Sequence, residues 1–235
     1  MIDSAALHAR LAGVRDRVAR AAGRARRDPA SVRIIAVSKT FTAEHVRAAA
    51  EASQIDFGAN NVQEGLQKIA HTADLHIKWH LVGHLQSNKA RKAGARFDVV
   101  HSVDSEGLVG RLDEAAQAEG RSLDLLVQVD LTGEATKHGA REAELAPIFE
   151  AARRCRAARV VGLMLLPPAT DDPEGARPYF RALRGVRDRL LARGVDGSMV
   201  GELSMGMSHD FEVAVEEGAT LVRIGTAIFG ERTYV

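Results

Sequence analysis

Lys39 stands directly after an apolar run, RIIAVS at 33–38, and is one of only 6 lysines beside 26 arginines. A lysine here is therefore not simply this chain's usual cation. An amine desolvated at the end of a buried strand loses some preference for its charged form. It can then act as a nucleophile that forms Schiff bases with carbonyls. The plain alternative is a lysine whose stem packs while its ammonium reaches water. A second group lies near the other end of the chain. Ser204-Met205-Gly206-Met207-Ser208 joins an apolar run to a helix, and Gly225-Thr226-Ala227-Ile228 opens a short turn. Free N–H groups at a helix start, a glycine that allows close approach and a hydroxyl suit a phosphate. Ordinary capping by Ser208 and Thr226 explains the same residues without a ligand.

Two other patterns lead away from a site. Gly225 and Gly230 have P-loop spacing, but Glu231 follows where that loop needs lysine. His76, His80 and His84 share one strand face by spacing, yet the run crosses Gly83 and leaves the strand, so no metal site is expected. A reactive amine beside an anion cradle suits two ligand classes. One is a phosphorylated sugar, as in a Schiff-base aldolase. The other is pyridoxal 5′-phosphate (PLP), an aldehyde with a phosphate arm. Arg223, just before the Gly225 turn, bears on the second. An arginine facing the pyridine nitrogen donates to it and favours its neutral form, a weaker electron sink that suits limited chemistry or cofactor holding.

These residues are far apart in sequence, so the elements between them must bring them together. Apolar runs at 33–38, 55–58, 77–82, 97–101, 123–129, 159–163, 200–203 and 221–224 alternate with helical periodicity at 43–52, 62–71, 87–93, 105–119, 141–153, 173–193 and 208–217. Eight strands with intervening helices predict a single α/β domain over 1–235, a (β/α)8 TIM-type barrel. An open doubly wound sheet is the alternative. A further helix, within residues 1–28, has Leu7, Leu11, Val14, Val18 and Ala21 on one face. Arg10, Arg17, Arg20, Arg24 and Arg27 on the other read as a solvated surface, and Asp28-Pro29 ends it. In a barrel the site forms where the strands end. The ring expected there contains Lys39, Asn60, Asn61, His80, His84, Ser102, Asp104, Asp130, Thr132, Met164, Pro167, Ser204, Arg223 and Gly225.

Composition excludes several classes. The chain is 46% hydrophobic and 27% charged with a net charge of +1, which is not the balance of a dedicated nucleic-acid binder. Cys155 is the only cysteine, so no intrachain disulfide forms. The start lacks a basic segment followed by an apolar run. The longest apolar stretch, 160–166, falls far short of a membrane span. A cytoplasmic location is expected.

The motifs together resemble the pyridoxal phosphate homeostasis protein family, which is related to the alanine racemase N-terminal barrel domain. They are AVSKT at 36–40, FGANNVQE at 57–64, WHLVGHLQSNK at 79–89, HSVDS at 101–105 and GEATKHG at 133–139. They continue with GLMLLPP at 162–168, LSMGMSHDFEVAVEEGAT at 203–220 and VRIGTAIFG at 222–230. The resemblance implies that Lys39 carries PLP as a Schiff base. It implies that Ser204, with backbone from Met205, Gly225 and Thr226, holds the phosphate, that Arg223 faces the pyridine nitrogen and that Asn60 lies near the lysine. Ala59 and Asn61 depart from the family, which usually has Glu before that asparagine and Tyr or Arg after it.

The implied role is a PLP-binding carrier in vitamin B6 homeostasis without robust catalysis. The alternative is a weak PLP-dependent amino-acid racemase, or another PLP enzyme, with Lys39 as its base. Racemases of this kind take a second base, a tyrosine, from an additional β domain and a partner subunit. No such domain is expected here, and Tyr179 and Tyr234 are not placed to replace that tyrosine. The expected partners are PLP and PLP-dependent apo-enzymes, with no nucleic acid or membrane, and the chain is expected to be a monomer.

Overall fold

The computed structural model describes residues 2–133 and 138–231. Its strands are β1 (Arg33–Val37), β2 (Asp56–Ala59), β3 (Lys78–Leu81), β4 (Val99–Val103), β5 (Leu123–Gln128), β6 (Ala158–Met164), β7 (Glu202–Met207) and β8 (Leu221–Ile224). All pair in parallel and in chain order, and β8 returns to β1, with Arg33 opposite Leu221 and Ala36 opposite Ile224. The expected closed (β/α)8 barrel is present, and the open sheet is excluded. Around it lie α1 (Ser4–Arg24), α2 (Ala43–Glu51), α3 (Val62–His71), α4 (Ala90–Arg96), α5 (Glu106–Ala118), α6 (Leu145–Ala152), α7 (Arg177–Ala192), α8 (Phe211–Glu216) and α9 (Thr226–Phe229).

Strand alternation divides the apolar residues into two sets. One set faces the helices and builds the main core, anchored by fully buried Phe57, Phe97, Phe149, Phe180 and Phe211. The smaller set, Ile35, Val82, Val99, Leu126, Met164 and Leu221, fills the barrel interior. It leaves room there for polar side chains: His80, His101, Ser204 and Arg223 are all buried.

Three boundaries differ from the sequence reading. Helix α1 starts at Ser4, before the first residue of its apolar face at Leu7, because Asp3 caps it by accepting from the Ala6 N–H at 2.9 Å. It ends at Arg24, and Arg26 turns left-handed with φ 54°. Pro29 then opens a separate short turn capped by Asp28 and does not terminate the helix. Strand β7 begins later than expected and runs to Met207, which places Ser204 within the barrel wall and not beyond it. The arginine face of α1 is not free either. Arg17 pairs with Glu212 and Arg24 with Glu216, while Arg10 and Arg27 donate to the carbonyls of Ile228 and Val215. The arginines fasten α1 across α8 and α9.

One buried carboxylate links the helix layer to the sheet. Asp113 on α5 accepts the backbone N–H groups of Arg156, Ala157 and Ala158 at 3.0, 2.7 and 2.7 Å, so it holds the entry to β6. Burial alone would push this carboxyl up. The hydrogen bonds from that backbone and from Gln117 outweigh it and hold the group below 3.8. Because the folded value lies below the unfolded one, this contribution is present above the usual aspartate range and is lost as the pH falls through the folded value. Asp113→Ala leaves three N–H groups without their acceptor and is expected to cost roughly 3 kcal/mol or more in denaturant unfolding. Asp113→Asn is expected to flatten the acid limb of the stability profile.

Candidate functional site

A cavity of about 480 Å³ opens at the C-terminal ends of β1, β2, β3, β7 and β8. That size is ordinary for a small-molecule site. Lys39, Asn60, Arg223, Gly225 and Thr226 line it, so the fold brings together five of the seven expected site residues. Val37, Val82 and Leu166 give it an apolar side, and Phe41, Met207, Ser208 and His209 complete its polar and outer rim. Gly83 also lines it. A Cβ at that position would lie 1.9 Å from the Asn60 carbonyl oxygen, so glycine is what lets the β2 and β3 loops pass each other.

Lys39 is presented by a strained turn. Thr40, the next residue, has φ +70°, a left-handed conformation that costs a β-branched residue about 1–3 kcal/mol. Surrounding bonds hold it there. The Thr40 N–H donates to Glu64 Oε1 at 3.1 Å, its hydroxyl donates to the Lys39 carbonyl at 2.5 Å, and the Phe41 N–H donates to the Ser38 carbonyl at 3.0 Å. Beneath the turn, buried Lys68 donates to Glu64 at 2.5 Å and to the Ser38 carbonyl and hydroxyl. Glu64 stays in reach because Asn61 caps α3, accepting the Glu64 N–H at 2.8 Å. Among the described residues Lys39 itself hydrogen-bonds only through its carbonyl, so its ammonium has no fixed partner. It lines the cavity on one side and a second hollow of about 620 Å³, between α2 and α3, on the other.

Ser208 organises the opposite rim. Its Oγ accepts the N–H of Gly225 at 3.1 Å and of Ala227 at 3.4 Å, tying the loop after β7 to the turn after β8. The expectation that Ser204 and Met205 hold a phosphate does not fit this geometry, because neither lines the cavity. The extra length of β7 points the Ser204 hydroxyl into the barrel, where it accepts Arg223 Nη1 at 2.6 Å and lies 2.9 Å from His101 Nδ1. Met205 is buried in the outer core. Ser208, four residues on, occupies the rim. Arg223 also donates to the Leu165 carbonyl at 2.9 Å and makes no ion pair among the described residues. Burial pushes its guanidinium down to about 10, against a smaller opposing effect of Asp210.

Other expected ring members are elsewhere. His80 lies inside the barrel, and His84 stacks on His138 at the mouth with ring centroids 3.4 Å apart. Burial and then His138 hold the His84 imidazole below its usual value. The three histidines considered for a metal do not converge, and no group of three ligating side chains exists among the described residues. Ser102 is buried away from the cavity. Residues 134–137 of the GEATKHG motif and Tyr234 lie outside the described residues. His101 and Asp56, which lead on from Ser204 inside the barrel, were not among the expected site residues. Their signal in the sequence is a polar inward residue on each of β2, β3 and β4, namely Asp56, His80 and His101, beside apolar interior residues such as Val99.

Comparison with known proteins agrees with this geometry. The profile of the alanine racemase N-terminal domain matches residues 6–233. A pyridoxal phosphate homeostasis protein from Aquifex aeolicus is 40% identical over 96% of this chain and 98% of its own length. Another, from Pseudomonas aeruginosa, is 43% identical over 95% of both. The chain belongs to the pyridoxal phosphate homeostasis protein family. PipY of Synechococcus elongatus, solved with PLP bound, superposes with a TM-score of 0.84 at 39% identity and covers 95% of this chain and 100% of its own. The alanine racemase of Clostridium difficile shares the fold, with a TM-score of 0.73 at 14% identity, and this chain spans 57% of it.

The clamp under Lys39 makes a prediction. Glu64→Ala removes the acceptor for the Thr40 N–H and the buried Lys68 ammonium. It is expected to lower stability by about 1–3 kcal/mol in denaturant unfolding. Hydrogen exchange should rise at residues 38–41 while the barrel strands stay protected.

Proposed function

We propose that this chain binds PLP at the barrel mouth and serves to hold it, as a Schiff base on Lys39, and to pass it on. One observation carries the reading. A lysine amine with no partner among the described residues and a buried arginine line the same cavity. Ser208, Gly225 and Thr226 border it, with Ser208 tied to the Gly225 N–H. A reactive amine, an anion-binding rim and a ring-facing cation are what an aldehyde with a phosphate arm and a pyridine nitrogen requires. PLP supplies a carbonyl that captures amines and, when its nitrogen is protonated, an electron sink.

The residues then have separate tasks. Lys39 supplies the amine, and the clamped Thr40 turn fixes its direction. The Ser208 hydroxyl and the backbone of Gly225 and Thr226 receive the phosphate, in place of the expected Ser204 and Met205. Asn60 stands beside the lysine. Arg223 donates towards the ring nitrogen and disfavours its protonation, since a cation stands where stronger electron sinks need a carboxylate. That choice suits retention and release better than turnover. We further propose that the chain acts as a monomer in the cytoplasm and gives PLP to apo-enzymes. Among the described residues no helix is long and apolar enough to cross a membrane.

The purified protein is expected to show a visible absorbance band. Borohydride should remove that band and leave PLP on the peptide containing Lys39 by mass spectrometry. Lys39→Ala should lack the band, and Ser208→Ala should weaken PLP binding about tenfold, the loss of one hydrogen bond to a charged group. PLP should pass to an added apo-enzyme without α-proton exchange in amino acids. Exchange that disappears in Lys39→Ala would instead make the chain an enzyme with Lys39 as base. A colourless protein that takes up no PLP would return the phosphosugar reading to first place.

A further inference from the structure

Inside the barrel a single file of hydrogen bonds runs away from the cavity. Arg223 Nη1 donates to Ser204 Oγ at 2.6 Å, and Ser204 Oγ lies 2.9 Å from His101 Nδ1. His101 Nε2 lies 2.9 Å from His80 Nδ1, and His80 Nε2 lies 2.9 Å from Asp56 Oδ1. His80, His101 and Ser204 are fully buried, while the Asp56 side chain keeps 14% of its exposure. Asp56 is therefore the end of the file that meets solvent, at the face opposite the cavity.

The two ends decide the direction of every bond between them. A guanidinium only donates, and a carboxylate only accepts. Ser204 accepts from Arg223 and so gives its own proton to His101 Nδ1. His101 then carries its proton on Nε2 and gives it to His80 Nδ1, and His80 carries its proton on Nε2 and gives it to Asp56. Every polar atom in the file is satisfied with both imidazoles neutral. The opposite arrangement, with His80 charged, makes His101 donate to Ser204. The Ser204 hydroxyl hydrogen then has no acceptor in a dry interior, a cost of about 1–3 kcal/mol. Burial, His80, Arg223 and Arg33 all hold the His101 imidazole well below its usual value, which agrees with the neutral form.

The charges around the outer end do not upset this assignment. Arg33, Lys78, Asp98, Asp124 and Arg159 surround a small hollow of about 150 Å³ beside His80. Four of the five are paired, Arg33 with Glu202, Asp98 with Arg121 and Asp124 with Arg159, while Lys78, like Arg33, acts on Asp56 in the direction that keeps it a carboxylate. Asp56 is left as the carboxylate that answers His80.

We infer that Asp56, His80, His101 and Ser204 are positioning residues that fix the direction and hydrogen-bonding state of Arg223, coupling a carboxylate at the far end of the barrel to the ring-facing wall of the cavity. Its consequence for PLP rests on the function proposed above. The coupling itself is a property of the chain alone.

Nitrogen-15 NMR of the PLP-free protein tests the coupling directly. Both His80 and His101 should have a protonated Nε2 and a bare Nδ1 at neutral pH. Asp56→Ala should abolish that preference at His80 and move the Arg223 guanidinium signals. Asp56→Asn, whose amide oxygen can still accept, should restore the tautomer. Thermal unfolding of each variant keeps loss of folding separate from loss of the relay.

Titration with PLP then forms a double-mutant cycle. Asp56→Ala and Ser204→Ala should each raise the PLP dissociation constant, roughly two- to thirtyfold. Their combination should be no worse than Ser204→Ala alone, because among the described residues Ser204 is the link between His101 and Arg223. Imidazolium or Nδ1-protonated histidines in the unaltered protein would overturn the proposal. So would unmoved Arg223 signals in Asp56→Ala, or effects on PLP binding that simply add. A chain that shows the expected tautomers and Arg223 shifts but binds no PLP would leave the relay standing and overturn only the cofactor reading.

Discussion

A guanidinium buried within a parallel barrel is tolerable only where its inward N–H groups find acceptors, because an unpaired buried charge is among the most costly features a fold can carry. Much of the interior of this molecule follows from meeting that need at Arg223. Leu165 supplies a carbonyl from beyond β6, and Ser204 supplies a hydroxyl from β7. A hydroxyl that accepts from arginine must place its own proton elsewhere, and this brings His101, then His80, then Asp56 into line. The small apolar cluster of the interior fits around this file. The barrel thus has a greasy outer core that holds it together and a polar inner one that serves a single cation.

The other cation of the cavity is handled by the opposite logic. The Lys39 amine has no partner among the described residues, while the backbone that carries it is heavily restrained. A strained Thr40, a buried Lys68 and the Glu64 between them fix where the lysine begins but not where it ends. The proposed Schiff base, whose lysine forms and breaks a bond to its cofactor, needs that combination of fixed root and free tip. The second hollow on its far side gives the tip somewhere to go.

How far the sequence reveals this depends on the period of the pattern. Eight apolar runs with helices between them were enough for the closed barrel, and Lys39, Asn60, Gly225 and Thr226 follow from their places just after strand ends, with Arg223 next to the end of β8. The cavity rim expected at Ser204 lies further on because β7 contains Ser204, Gly206 and Met207, residues that read locally as a loop. Pairing with β6 and β8 on either side keeps them in the sheet. A strand longer by four residues at its C-terminal end moves the rim from Ser204 to Ser208. Asp56 and His101 escaped notice because a polar residue in a strand looks like a surface residue until closure turns its face inward. The α1 arginines read as solvated because their partners, Glu212 and Glu216, lie nearly 200 residues away.

The first and last strands are the ones that meet at the cavity. β1 leads to Lys39, β8 carries Arg223 and leads to Gly225, and the two strands pair directly across the seam of the barrel. Contacts this distant in sequence close the largest loop available to the chain, and loop-closure entropy makes such contacts late in folding. On a ribosome the delay is absolute, since β8 emerges after the other seven strands of the barrel. No partly made chain can therefore present both walls of the cavity. The cavity that the proposed cofactor would occupy exists only once β8 has joined β1.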